Sequence, residues 1–192
     1  MTYRTAYLSE RLKDQVTEDA FQGALDPARA TGYLTAHGGH LDVRIINGEY
    51  YLCRGGTTWV KTGRSMTSVI PLGPTQEVVA ELNADPSVLL TKFRTLGNVT
   101  QSGRSGSGAD AVDTYTFSYP VTADESRAAH TIAGTVTVGV DSGMIRSVVQ
   151  DTTLTGANPE IADREPVSFR TTVELSDYNT PVTVEQPQVS GG

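Results

Sequence analysis

The sequence predicts an α+β domain that is mostly β, an antiparallel sheet with short helices laid against one face. Three observations carry that expectation. Glycine is plentiful at 19 of 192 residues and Thr, Val and Ser recur, while long Ala/Leu/Glu/Lys runs are missing. Apolar and polar residues alternate with period two in several stretches, most plainly after Leu41 and after Val167. Helical spacing is confined to two short stretches between Thr75 and Gly97.

Taken in order, Thr2–Ser9 has strand composition, and the charged run Glu10–Asp19 reads as a solvated strand end and turn. Ala20–Leu25 and Thr31–Ala36 are short β-like runs around the turn signal Asp26-Pro27, a first hairpin. The central stretch is LDVRIINGEYYLCRGGTTWVK, Leu41 to Lys61. Its Asn47-Gly48 pair tolerates the positive φ of a type I′ turn, so Ile46 faces Glu49, Ile45 faces Tyr50, Val43 faces Leu52 and Leu41 faces Arg54. Cross-strand partners share a face, which places Leu41, Val43, Ile45, Tyr50 and Leu52 in one apolar patch. Such a patch requires a cover.

Two helices are expected next. Thr75 is an acceptable N-cap for a short one carrying Val78, Val79 and Leu82. The second is better marked: Asp85 at the cap, Pro86 at the first helical position, Leu89, Leu90, Phe93 and Leu96 at helical spacing, and Gly97 as the stop. Its stripe suits either an ordinary α+β core or a lid over a cavity, and spacing alone leaves both open. Gly103–Gly108 reads as a glycine-serine hairpin tip, after which the chain is strands to its end. Ala111–Tyr119 sets Tyr115, Phe117 and Tyr119 against Val112, Thr114 and Thr116, with Pro120 closing it. Thr131–Val140 and Met144–Leu154 flank the turn Asp141-Ser142-Gly143, with a polar loop before them and another, Thr155–Pro166, after. Val167–Leu175 alternates regularly, one face dry and one wet. Asp177–Pro181 turns the chain, and Val182–Glu185 is a last extended piece. A single domain over residues 1–192 follows, ample for a hydrophobic core, with residues 186–192 fraying.

Charge and motifs exclude several function classes. Fifteen Lys+Arg against 22 Asp+Glu give a net charge of −7, the wrong sign for a phosphate-binding surface, so no nucleic-acid partner is expected. The single cysteine, Cys53, excludes an intramolecular disulfide and reads as a packed thiol. No apolar run approaches the ~20 residues of a membrane span, and no export signal is legible. His37 and His40 flank two glycines, a turn rather than half a metal site, with no acidic or cysteine cluster at ligand spacing. Gly103–Gly108 lacks the lysine of a phosphate-binding loop, and Ser105 lacks the glycine spacing of a nucleophile elbow. The three histidines are dispersed and the acids fall in loops or strand ends, so no catalytic constellation, metal site or cofactor is expected, and the chain reads as a non-enzyme.

The order of elements resembles the LppX/LprG-type lipoproteins of actinobacteria, in the LolA-like superfamily. The stretches that carry the resemblance are LDVRIINGEYYLCRGGTTWVK, DPSVLLTKFRTLG, VTVGVDSGMIRSVVQ and VSFRTTVELSDYN with its tail TPVTVEQP, together about Phe21 to Pro187. The resemblance implies a curved antiparallel half-barrel with helices over its concave face, and a non-enzymatic carrier of acyl chains or glycolipid in the cell envelope. On that reading Leu41, Val43, Ile45, Tyr50 and Leu52 are continued by Val136, Val138, Phe169 and Val173, and Leu89, Leu90, Phe93 and Trp59 supply cover. The partner is a lipid or other apolar small molecule. Relatives carry an export signal, a lipidated cysteine and usually an N-terminal helix, whereas this chain begins almost inside its first strand. The expected location is therefore extracytoplasmic, with anchoring through a leader absent from this chain, or cytoplasmic if the chain is leaderless. The alternative function is a regulatory or sensor module of the same fold that docks an envelope protein.

Overall fold

The computed structural model describes residues 1–13, 16–36, 41–63, 93–122, 129–154 and 167–189. Eleven strands dominate: β1 Tyr3–Arg11, β2 Val16–Asp26, β3 Thr31–Ala36, β4 Leu41–Ile46, β5 Glu49–Arg54, β6 Trp59–Gly63, β7 Val99–Ser105, β8 Val112–Val121, β9 His130–Gly139, β10 Ile145–Leu154 and β11 Val167–Ser176. Their hydrogen-bonded order is β6-β5-β4-β3-β2-β1-β11-β10-β9-β8-β7, two sequential meanders. The fold is thus α+β and mostly β, with an antiparallel multi-strand sheet and one short described helical segment, residues 93–95. The helix expected from Thr75, and the Asp85–Leu90 part of the second, lie outside the described residues, as do His37 and His40. Gly97 follows the helical segment two residues on, without the positive φ of a left-handed glycine cap.

The chain divides into two compact units, one comprising Met1–Tyr7, Asp19–Asp85 and Leu175–Gly192, the other Leu8–Glu18 and Pro86–Glu174. In the first, the β4–β5 hairpin has the expected register, Ile46 opposite Glu49, Ile45 opposite Tyr50, Val43 opposite Leu52 and Leu41 opposite Arg54. Asn47 and Gly48 take φ of 51° and 78°, the left-handed pair that a type I′ turn needs. The β2–β3 hairpin also forms: Asp26 caps a 3₁₀ turn over Pro27–Arg29, its Oδ1 accepting from the Arg29 amide at 3.3 Å. Leu34, Ala36, Leu41, Val43, Ile45 and Leu52 make one buried cluster, with Phe21, Leu25 and Tyr50 packed against it. Cys53 is the packed thiol expected, donating to the Gly56 carbonyl at 2.8 Å. Asp177 and Asn179 both take positive φ as the chain turns after β11. Beyond that turn, where fraying is expected from Gln186, Val189 forms an isolated parallel bridge with Trp59.

In the second unit β7–β10 pair as a meander around the β9–β10 turn at Asp141–Gly143, and β10 pairs with β11. Three assignments differ from the sequence expectation, the first being the run Glu10–Asp19, which is not all strand end and turn because β2 already begins at Val16. Strand β7 occupies Val99–Ser105, part of which reads as a loop; six of its seven residues are exposed, so it shows no dry face to read. Pro120 also continues β8 instead of closing it, opposite Thr131 one position before the strand ends, where its missing N–H matters least.

Arg–carboxylate forks join β7 to β8 and β10 to β11 in this unit. Arg104 donates from Nε and Nη2 to Asp113 at 2.6 and 2.8 Å, and Arg170 does the same to Asp151 at 2.8 Å each. The Arg104 fork, aided by its charge and by Gln101 Nε2 at 3.0 Å, holds the Asp113 carboxyl below the usual carboxylate range. A depressed folded value makes this contribution present above the ordinary carboxylate range and lost as pH falls through the lowered value. Arg104→Gln is expected to move the Asp113 titration midpoint upward, read by NMR of its side-chain carboxyl carbon, with little change in melting temperature because the pair is exposed.

Candidate functional site

The apolar sequence-predicted residues fall into two sets, one in each unit. Alternation along β4 and β5 turns Leu41, Val43, Ile45, Tyr50 and Leu52 to one face of the first unit's sheet, with Val43 wholly buried at its centre. Opposite it across β3 stands Leu34, so that the patch runs over three strands. Tyr50 is half-buried, and desolvation pushes its phenol pKa upward, keeping it neutral.

In the second unit Val136 and Val148 are cross-strand partners, as are Val148 and Val173, which sets a row of valines across β9, β10 and β11. Phe169, Ile132 and Phe117 are buried on the same face, and Val138 opposite Ile145 continues it. Phe93, at the described end of the helical stretch, packs on Phe117 with ring centroids 4.8 Å apart and planes at 53°. Phe93, the described member of the helical cover expected from the sequence, therefore meets an apolar sheet face. Leu89 and Leu90 lie outside the described residues.

Two polar features of these faces escape the sequence reading. On β10, Gln150 and Thr152 follow Val148 at period two and so point into the apolar face of the second unit. Gln150 is 1% exposed and Thr152 4%, and neither the Gln150 amide nor the Thr152 hydroxyl has a hydrogen-bond partner among the described residues. Gln150 is flanked by Gly134 on β9 and Thr171 on β11. The legible signal is a glutamine two residues after Val148 on the same face, obscured because the bulge between Ile145 and Ser147 shifts the phase of the strand.

Trp59 is placed differently from its expected role as cover. It pairs with Cys53, which pairs with Asp42, so the indole shares a face with Asp42 and Arg44, opposite the apolar cluster. The Arg44 guanidinium is within cation–π range of two rings, 5.5 Å from the Tyr33 centroid and 5.3 Å from that of Trp59. The stretch Thr183–Pro187 faces these three side chains and closes a cleft of about 360 Å³. Asp42 Oδ1 accepts from Thr35 Oγ1 at 2.6 Å and lies 3.9 Å from Arg44 Nη1.

With the strand order and both faces described, the structure is similar to the crystal structure of LprF from Mycobacterium bovis. The TM-score is 0.51 and the identity 13%, over 96% of this chain and 89% of that one. The chain has a LolA-like fold. At that identity the likeness concerns the fold alone. No protein-family model matches the sequence, and no curated protein matches it. Among the described residues no group of His, Cys, Asp or Glu is arranged to hold a metal ion, and no helix is long and apolar enough to cross a membrane.

Proposed function

We propose that this chain is a non-enzymatic carrier in the cell envelope that binds acyl chains or glycolipid along its apolar sheet faces. The observation that carries the reading is the contact of Phe93 with Phe117 beside the Val136–Val148–Val173 row, a helical segment applied to an apolar stretch of sheet, with two charges of that face, Asp113 and Arg104, paired with each other on β8 and β7. The charged residues of β10 and β11, Arg146, Asp151, Arg170 and Glu174, are all exposed, and Asp151 and Arg170 pair with each other. The LolA-like fold supports the same reading, and Leu41, Val43, Ile45, Tyr50 and Leu52 offer a second apolar lining in the other unit.

Binding of this kind rests on burial of methylenes, offset by the ordering of the guest. Shortening an acyl probe by two methylenes is then expected to weaken binding by up to about 1.6 kcal/mol, roughly tenfold or slightly more. Titration of the delipidated protein with fluorescent fatty acids of graded length measures this. Organic extraction of the purified protein followed by mass spectrometry is expected to release a long-chain lipid. No extracted lipid, together with no saturable binding of any fatty acid in the series, would overturn the reading and favour the same fold as a filled-core module that docks a partner protein.

A further inference from the structure

We propose that the cleft between Arg44 and the Thr183–Pro187 stretch is a second binding site, for a small monocarboxylate with a compact apolar body. The inference is independent of acyl-chain carriage, because the cleft lies on the face of β3–β6 turned away from the apolar cluster. At about 360 Å³ it falls within the usual range of small-molecule pockets, ~300–1,000 Å³.

The guanidinium of Arg44 supplies the recognition. Tyr33 and Trp59 both stand within cation–π range of it, their ring centroids 5.5 and 5.3 Å from its central carbon. Among the described residues its polar contacts use Nη1 alone, which donates to the Val43 carbonyl at 3.3 Å and stands 3.9 Å from Asp42. Nε and Nη2, the edge that binds a carboxylate through two parallel hydrogen bonds, have no partner among the described residues. That same edge is filled in two other arginines of this molecule, by Asp113 on Arg104 and by Asp151 on Arg170. Asp42 does not serve Arg44 in this way, since its near oxygen stands 3.9 Å from Nη1, beyond hydrogen-bond distance, and accepts from Thr35 instead.

The wall opposite sets the rest of the specificity. Val184 and Pro187 are partly buried and offer an apolar surface for the body of the guest, whereas Glu185 places a carboxylate in the lining. With a net charge of −7 behind it, that carboxylate penalises a dianion more than a monoanion. A carboxylate is therefore preferred over a phosphate monoester. Lysine at position 44 would keep the charge but lose the fork and the flat stacking surface.

Trp59 is the only tryptophan in the chain, so its emission reports this cleft alone. Titration with phenylacetate is expected to change Trp59 fluorescence saturably, while phenylacetamide and phenyl phosphate bind about tenfold more weakly or worse. Arg44→Lys should weaken phenylacetate by about tenfold or more, with a melting temperature showing that the variant folds. Glu185→Gln should narrow the gap between phenylacetate and phenyl phosphate without loss of the former. Amide NMR shifts of Tyr33, Arg44 and Glu185 give a second readout. The proposal is overturned if phenylacetate moves neither Trp59 emission nor those amides, if the amide analogue binds as well as the acid, or if folded Arg44→Lys binds phenylacetate like the parent. Fatty-acid binding by the Arg44→Lys protein tests the carrier reading separately and is expected to be unchanged.

Discussion

Gly134→Ala is expected to be among the most destabilising single substitutions in the molecule, lowering stability by about 3 kcal/mol or more and the melting temperature by roughly 10 °C. Gly134 lies on β9 opposite Gln150 of β10 and Phe117 of β8. A Cβ built there would sit 2.1 Å from the Val149 carbonyl oxygen and 2.9 Å from both Gln150 Cα and Phe117 Cζ. The ring of Phe117 can yield, although only by disturbing its packing on Phe93. The carbonyl oxygen and the Cα belong to the neighbouring strand, and moving them means parting β9 from β10. Space rather than backbone strain sets the cost, since the position does not have a positive φ. Thermal unfolding of Gly134→Ala beside Ala133→Ser provides the check. Ala133 is exposed, and the control is expected to stay within about 0.5 kcal/mol of the parent. Equal stability of the two variants would show that β9 and β10 are not in the register described.

How far the sequence discloses this structure depends on how one-sided each strand is. The β4–β5 hairpin is legible down to individual pairs because Asn47-Gly48 fixes the turn and because a slip of one residue would turn Val43 and Ile45 outward. Strand β11 is legible for the same reason, with Phe169, Val173 and Leu175 buried at alternate positions. Strand β7 is hidden because water reaches both of its faces, leaving no alternation to detect. Of the candidate site, the apolar members follow from alternation and pairing. The side of the sheet occupied by Trp59 does not, since that depends on the register of β6 against β5, which bulges between Tyr50 and Tyr51. Nor does the Arg44 cleft, whose far wall comes from residues more than a hundred positions away with no periodic pattern to announce them. Local rules specify which residues share a face; they do not specify which distant segment lies across it.

Replacing Gln150 with methionine is expected to raise stability, by about 1–3 kcal/mol in the lipid-free protein, against the general tendency of core substitutions to lower it. The side chain is 1% exposed, and neither its donor nor its acceptor is satisfied among the described residues. Burial strips an amide of its hydrogen bonds to water, and each bond not replaced costs about 1–3 kcal/mol, whereas an apolar group of similar shape carries no such penalty. Methionine keeps the unbranched length of glutamine and fills irregular space between Val148, Gly134 and Thr171 without new branching. Thr152, two residues on and likewise unpartnered, offers the parallel test, Thr152→Val, with the same sign and a smaller effect because one hydroxyl replaces a whole amide. Denaturant unfolding of both single variants and the double measures whether the two polar groups act separately. Additive gains are expected if each is merely stripped of water, while a loss in Gln150→Met would mean that the amide is hydrogen-bonded in solution. The sign matters for the carrier reading as well. An unpartnered amide facing the valine row opposes the burial of an acyl chain along it, so Gln150→Met is expected to bind fatty acids at least as tightly as the parent protein.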